Sequence, residues 1–495
     1  MPSTFSPRSR TSSSTSPRVT PPPFRLPAAK PAPPLTVRRF AALVAGKAAA
    51  VGSRISGRGG GTSLPGMVAR RVDPGILRSL VAEQGVTVVA ITGSNGKTTT
   101  ARFMAALLRG AGIPVAHNQA GANLVQGVTS MAVAAADLRG RVEPVVMVSE
   151  IDEGALPLVA PEIRPRAVAV TNLFRDQLDR YGEIYAVADA FEVVAAALPR
   201  DSVLVVNADD PIVAGLAPAR DGRRVTFGLQ LPASTDTITR AADTIRCPSC
   251  RTNLEYEHVY LSHMGSWRCP ACGLERPAVD VAVTAVEVRG LDETAFTIRT
   301  PDGELEFAVP QSGLHVAYDA AAAVALAYGL GVPLDGAPAA LATVGPAFGR
   351  LERIAAGDRQ VVLGFAKNPT SYNATLRALA TEELPRHLLI AVSNTLVDGE
   401  DFGWLWDVDF EAMVPRLQAV TVSGLRADEL ANRLKYAGLD PVKMTVVEAR
   451  VPALDAALAA TPANEPLTIV AGYTPTIELR EEMRRRGWVG RYWEA

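Results

Sequence analysis

Two clusters of residues in this 495-residue chain have types and spacings that can do chemistry. All four cysteines fall in the pairs Cys247–Cys250 and Cys269–Cys272, with eighteen residues between them. Two C-x-x-C knuckles at this separation suit a tetrahedral Zn²⁺ ion bound by four thiolates. Two disulfides or a redox pair are the competing readings of the same spacing. Four thiolates would close the metal's shell, so the ribbon is expected to be structural rather than catalytic. The second cluster is Gly93-Ser94-Asn95-Gly96-Lys97-Thr98-Thr99, a phosphate loop shorter than the usual G-x-x-x-x-G-K-[ST] pattern. Small residues let backbone N–H groups turn toward phosphate oxygens, and the helix beginning near Lys97 aims its positive end at them. Lys97 is placed to bridge the β- and γ-phosphates of ATP, and the Thr98 hydroxyl to hold Mg²⁺. A plain structural glycine turn is the bland alternative.

The elements that must position these residues follow from hydrophobic patterning. Short apolar runs such as "VTVVAIT", "PVVMVSE", "RAVAVTN" and "DSVLVVNADD" alternate with helical patterns. That alternation predicts α/β architecture with a parallel sheet covered on both faces. Ligands bind such sheets beyond the carboxyl ends of the strands. The polar tails Gly93–Thr98, Glu150, Asn172 and Asn207–Asp210 are therefore expected to converge on one crevice. A second α/β series, "QVVLGFA" through "LTIVAGY", begins near residue 350 and predicts a smaller Rossmann-like domain.

Residues 1–37, rich in Ser, Pro and Arg, read as a disordered tail. The stretch "FAALVAGKAAAVGSRI" reads as an amphipathic helix packed on the first domain, an export signal being the weaker reading. Lys47 interrupts it as a membrane span. The domain reading is then 38–348 for an ATP-binding domain, 246–278 for the ribbon inserted in it, and 349–495 for the second domain. Formal net charge is −1, and the ribbon carries Glu255 and Glu257. Nucleic acid is therefore not an expected partner, although a zinc-ribbon nucleic-acid binder is the reading from another class. ATP use places the protein in the cytoplasm.

The G-[ST]-N-G-K-T loop resembles that of the Mur ligase family, which also includes folylpolyglutamate synthase. Its members activate a carboxylate as an acyl phosphate that an amine then attacks. The order of further motifs carries the resemblance: Glu150 at a strand end, "TNLFRDQLDRYGE" at 171–183, "NADDP" at 207–211 and Gly349-Arg350 at the domain junction. The resemblance implies Glu150 as a second Mg²⁺ ligand, Arg350 reaching the γ-phosphate, and Asn207 and Asp209 beside the nucleotide. Departures are Gln177 and Lys367 at positions where histidine is usual, and Asp319 in place of an asparagine. About fifty residues separate the tail from the loop, too few for a UDP-binding domain.

A narrower resemblance, covering roughly residues 38–490, is to the MurT-type subunits of lipid II isoglutaminyl synthase. It rests on the missing UDP domain, the inserted four-Cys ribbon, "AKNP" at 366–369 and "DGEDFGWLWD" at 398–407. On the residues alone a solvated acidic loop explains the last motif, with Trp404 and Trp406 in the core. The resemblance instead implies that Asp401 completes the Cys–His triad of a GatD-type glutamine amidotransferase partner. It further implies ATP-dependent amidation of the D-glutamate α-carboxylate of lipid II to D-isoglutamine, at the cytoplasmic membrane face and within peptidoglycan biosynthesis. Lys97, Arg350 and Mg²⁺ would spread the transferring charge. Every cysteine is committed to the ribbon, so no glutaminase nucleophile remains in this chain. An amino-acid-adding ligase of the Mur or folylpolyglutamate type is the alternative.

Overall fold

The computed structural model describes residues 21–490 except 28–29, 57–61, 119–120, 144, 175–183, 217–221, 233–245, 347–349, 381–385, 396–397 and 400. Gln177 lies outside the described residues. Among them the strands form a nine-stranded sheet, a six-stranded sheet and a two-stranded ribbon.

The large sheet has the order β11-β10-β9-β6-β5-β4-β1-β3-β2. Its parallel part comprises β2 (Val115–His117), β3 (Val146–Glu150), β1 (Thr87–Thr92), β4 (Ala167–Val170), β5 (Val203–Asn207), β6 (Arg223–Leu229) and β9 (Val281–Arg289). β10 (Glu293–Thr300) and β11 (Gly303–Val309) add an antiparallel edge. The central strands β1, β3, β4 and β5 are buried along their whole length, which is why they read as unbroken apolar runs. One face packs against α4 (Lys97–Gly110) and the Ala-rich helix Leu314–Leu330, whose small side chains let it lie close to the sheet. The other is covered by α1 (Val37–Ser56), α3 (Ile76–Leu80), α5 (Val125–Ala135) and α6 (Leu156–Ile163). The expected helix over 40–55 is α1, and its Ala42 and Leu43 are fully buried on that face.

Residues 21–27 and 30–36, read from sequence as part of a disordered tail, instead run along the domain. Phe24 N–H donates to Gly331 O at 2.8 Å and Lys30 N–H to Gln84 O at 3.0 Å. Phe24 and Leu26 pack against the core, so two apolar side chains suffice to hold this segment down.

The second sheet, in the order β12 (Arg350–Ala356), β13 (Arg359–Phe365), β17 (Leu467–Ala471), β14 (Arg386–Ala391), β15 (Leu417–Ser423) and β16 (Met444–Val446), is parallel except for β12 against β13. It forms its own core, with the residues of "FGWLWDVDF" folded over one face. The ribbon strands β7 (Glu255–Leu261) and β8 (Met264–Arg268) are antiparallel. Their tip enters the first domain: Tyr260, Leu261 and Met264 belong to its main core.

Candidate active site

The loop leaving β1 turns sharply into α4. Gly93 has φ +124° and Gly96 φ +84°, both in the region that favours glycine. A Cβ on Gly93 would collide with the Thr171 hydroxyl and the Asn172 backbone, and one on Gly96 with the Asp319 carboxylate. Asp319 thus seals the back of the loop from the helix Leu314–Leu330. Ser94 donates to Phe174 O at 3.0 Å, and Asn95 N–H donates to Asn172 Oδ1 at 2.9 Å. The Thr171 hydroxyl donates to Asn95 O at 2.7 Å. The ends of β1 and β4 are therefore stitched together.

Lys97 is buried, and its ammonium donates to the carbonyls of Gly93 and Ser94 and to Glu153 Oε2 at 2.9 Å. Glu153 was missed in the sequence because it lies three residues past the strand end, where nothing local marks it. Burial pushes the Glu153 carboxyl up, but the charges of Lys97 and Lys367 outweigh it and hold the carboxyl below its ordinary value. Lys367, from the second domain, thus brings its charge to bear on Glu153 of the first. Thr98 donates its hydroxyl to Glu150 Oε2 at 2.8 Å. Asn118 fixes the Glu150 backbone, accepting from its N–H at 2.8 Å and donating to its carbonyl at 2.7 Å. The Thr98 hydroxyl and the Glu150 carboxylate are hard oxygen donors of the kind Mg²⁺ takes, and could hold it at the carboxyl end of β3. Asn95 Nδ2 and the Thr99 hydroxyl are buried without a hydrogen-bond partner among the described residues, as suits a loop built for an anionic ligand.

A cleft opens beside Asn95, Gly96 and Asn172. Its far wall is the second domain, through Leu351, Phe365, Thr370 and Ser371. Asn368 Nδ2 reaches Asn95 Oδ1 at 3.2 Å across this junction. Arg350 opens β12 opposite Gly364, and its side chain lies outside the described residues.

Asn207 and Asp209 are placed differently from Lys97 and Thr98. Asn207 donates to Thr171 O at 2.9 Å and accepts from Asp209 N–H at 3.0 Å. The Asp209 carboxylate accepts from Tyr318 at 2.7 Å, from Leu229 N–H at 2.8 Å and from Arg276 Nε at 2.7 Å. Burial raises its pKa against the pull of Arg276. Beside them the ribbon tip docks. Gly265 N–H donates to Asp209 O at 3.0 Å, Trp267 Nε1 donates to Ala208 O at 3.1 Å, and His263 lies fully buried 3.4 Å from Asp210. The segment 207–210 is thus the seat of the ribbon, and Leu261 and Met264 carry the ribbon into the cleft wall.

The ribbon's two knuckles are built alike. Cys247 N–H donates to Thr252 O and accepts at its carbonyl from Arg251 N–H; Cys269 repeats this with Leu274 and Gly273. Arg251 and Gly273 have φ +64° and +72° at the matching position. Gly273 does so freely, and the Arg251 guanidinium lies over the Tyr185 ring at 3.9 Å. All four thiols are free, and their sulfurs lie within 4.8 Å of one another.

In the second domain the first two aspartates of the motif have separate contacts. Asp398 accepts from the Thr395 hydroxyl at 2.6 Å and from Thr474 N–H at 2.9 Å, tying the loop to the start of the helix Tyr473–Arg485. Asp401 is exposed, and Gly403 N–H donates to its Oδ1 at 2.9 Å. Trp404 packs against Tyr372 with ring centroids 5.4 Å apart, as core packing predicts. Trp406, expected in the core, is instead exposed and meets the exposed Tyr436 at 5.6 Å, because Arg433 occupies the buried space behind it.

Comparison with known proteins agrees with this arrangement. Residues 91–265 match the Mur ligase middle domain and residues 365–476 the MurT ligase C-terminal family. A Staphylococcus aureus protein named "Lipid II isoglutaminyl synthase (glutamine-hydrolyzing) subunit MurT" is 32% identical over 82% of this chain and 89% of its own length. The like-named protein of Streptococcus pneumoniae is 31% identical over 87% and 94%. The chain belongs to the MurT family. Among solved structures, a pseudomurein peptide ligase type C from Methanothermus fervidus covers 81% of the chain at TM-score 0.62 and 22% identity, spanning 79% of its own. The folylpolyglutamate synthase of Mycobacterium tuberculosis covers 90% at TM-score 0.58 and 17% identity, spanning 100% of its own. These share the fold, an α/β Mur-ligase architecture into which this MurT-family chain inserts its cysteine ribbon.

Proposed function

We propose that this chain is the synthase subunit of a lipid II isoglutaminyl synthase, an ATP-dependent carbon–nitrogen ligase. The single observation carrying the reading is its relationship to MurT subunits across both domains. ATP would lie on Gly93–Thr99 with its base in the cleft toward the second domain. Thr98 and Glu150 would hold Mg²⁺, which shields charge between the phosphates. The D-glutamate α-carboxylate attacks the γ-phosphorus, the bond to the β,γ-bridging oxygen breaks, and ADP leaves. Lys97 and Arg350 would stabilise the charge on the transferring group, where catalysis of phosphoryl transfer mostly lies. Ammonia then adds to the acyl phosphate, loses a proton and expels phosphate, giving the carboxamide. The junction bridged by Asn368 and Asn95 supports an enclosed site, which protects an acyl phosphate from water.

Ammonia would come from a GatD-type glutaminase. Asp401, exposed to solvent, would have the access needed to orient a partner's imidazole. A tetrahedral Zn²⁺ with Zn–S near 2.3 Å sets its sulfurs about 3.8 Å apart, and the observed sulfur pairs at 3.4 and 3.6 Å fit it. Cys247, Cys250, Cys269 and Cys272 would hold it, and its work would be to keep the ribbon folded. Among the described residues no helix is long and apolar enough to cross a membrane. The enzyme would meet its lipid-linked substrate from the cytoplasmic side as a peripheral protein. The decisive assay gives the purified chain ATP, Mg²⁺ and lipid II with either ammonium or amino acids. Carboxamide formed with ammonium supports the reading, whereas incorporation of amino acids alone assigns the chain to the amino-acid-adding ligases that share its fold.

A further inference from the structure

Among the described residues both sides of α1 are apolar, and only one of them is covered. Ala42, Leu43, Gly46 and Ser53 face the domain. Val37, Phe40, Val44 and Val51 are exposed and, at helical spacing, fall on the opposite side as one stripe. Val37 is 88% exposed and Val51 55%, more than a packed helix normally leaves open. α2 (Leu64–Val72) packs so closely on α1 that a Cβ on Gly46 would meet Pro65 O at 3.1 Å and Ala69 Cβ at 3.2 Å. It exposes Leu64 and Met67 as well.

Charge says what covers this face. Residues 1–72 hold twelve Lys or Arg and no Asp or Glu, the first carboxylate being Asp73. The remaining residues hold 38 Lys or Arg against 51 Asp or Glu, so a near-neutral total hides a strongly basic end. Lys47 borders the stripe on α1, Arg38 is exposed and donates its Nε to Val72 O at 2.6 Å at the end of α2, and Arg71 is exposed beside it. An apolar stripe edged by basic residues, on a helix that does not span a bilayer, suits the headgroup layer of an anionic membrane. We infer that α1 and α2 form a docking surface for anionic phospholipid, with the stripe inserting among acyl chains and the basic residues meeting headgroup phosphates. This rests on the lipid-linked substrate proposed above, because a soluble substrate gives the enzyme no reason to dwell on a membrane.

Vesicle co-sedimentation tests it, with the full chain alone and bound to its glutaminase subunit. Binding is expected to phosphatidylcholine vesicles containing phosphatidylglycerol and not to phosphatidylcholine alone, and to weaken as salt rises. V44D/V51D, at exposed positions that leave the fold intact, should weaken vesicle binding by about tenfold or more. The variant should amidate lipid II in detergent at the wild-type rate and lipid II in anionic vesicles more slowly. Equal binding to both vesicle types, full binding by V44D/V51D, or loss of binding once the glutaminase subunit is present would each overturn the inference. If instead no carboxamide forms even in detergent while anionic vesicles are bound, the docking surface stands and the functional reading fails.

Discussion

Replacing Glu153 by Gln tests how the phosphate lysine is held before nucleotide arrives. The Lys97 ammonium and the Glu153 carboxylate are each only 7% exposed and lie 2.9 Å apart. Gln keeps the volume and an acceptor oxygen but removes the charge. Lys97 is then left buried with neutral acceptors, chiefly the carbonyls of Gly93 and Ser94. Removing one member of a buried pair costs about 3–5 kcal/mol, because the other charge stays desolvated. At about 2 °C per kcal/mol for a domain of this size, the nucleotide-free protein should melt about 6–10 °C below wild type. MgATP brings phosphate charge to the same ammonium, so it should restore much of that loss. By linkage, each ~1.4 kcal/mol restored appears as tenfold tighter ATP binding by the variant. Differential scanning fluorimetry with and without MgATP, and calorimetric ATP titration, measure both quantities. An unchanged melting temperature without nucleotide, or the same deficit with MgATP as without it, would refute the reasoning.

Other expectations follow from the same geometry. The Glu153 carboxyl sits below its ordinary value in the fold, so its stabilisation is present above the unfolded value near 4.3 and is lost as pH falls through the folded one. The melting-temperature gap between wild type and Glu153→Gln should therefore close as pH falls below about 4.3, and a gap that widens there contradicts the pairing. Asp401→Asn should cut glutamine-driven amidation by about a thousandfold or more while sparing the ammonium-driven reaction, and equal loss of both would remove Asp401 from the partner's triad. Asp209→Asn should lower the melting temperature, because Arg276 and the Tyr318 hydroxyl lose a carboxylate acceptor, and leave ATP affinity within about a few-fold. A large affinity loss at unchanged stability would mark it instead as a nucleotide contact. Elemental analysis should find one zinc per chain, and Cys247→Ser should lower both zinc content and melting temperature; a metal-free chain of full stability counts against a metal-held ribbon.

What was legible in the sequence was what local spacing encodes. The loop from Gly93 to Thr98, the strand end at Glu150 and the paired cysteines each lie within a few residues of one another, and the fold keeps those neighbours together. What sequence could not give was set by distant packing. Glu153 matters only because α4 turns Lys97 back over the end of β3. Asn207 and Asp209 sit at a strand end, as nucleotide contacts do in such sheets. Yet the ribbon, inserted some forty residues later, returns its tip to that place, where Met264 accepts from Asn207 and Gly265 N–H donates to Asp209 O. Trp404 and Trp406 look alike in sequence, and the side chain of Arg433 decides which of them is covered. Residues 21–27 and 30–36 were misread because composition averages over Phe24 and Leu26, whose positions matter.

The most direct measurement of the central claim supplies the chain and its glutaminase subunit with ATP, Mg²⁺, lipid II and glutamine labelled with ¹⁵N in the side-chain amide. The account predicts labelled nitrogen in the D-glutamate α-carboxamide, one ADP per carboxamide, and neither product when Lys97 is replaced by Ala. Carboxamide without ADP, ADP without carboxamide, or undiminished product from Lys97→Ala would contradict it.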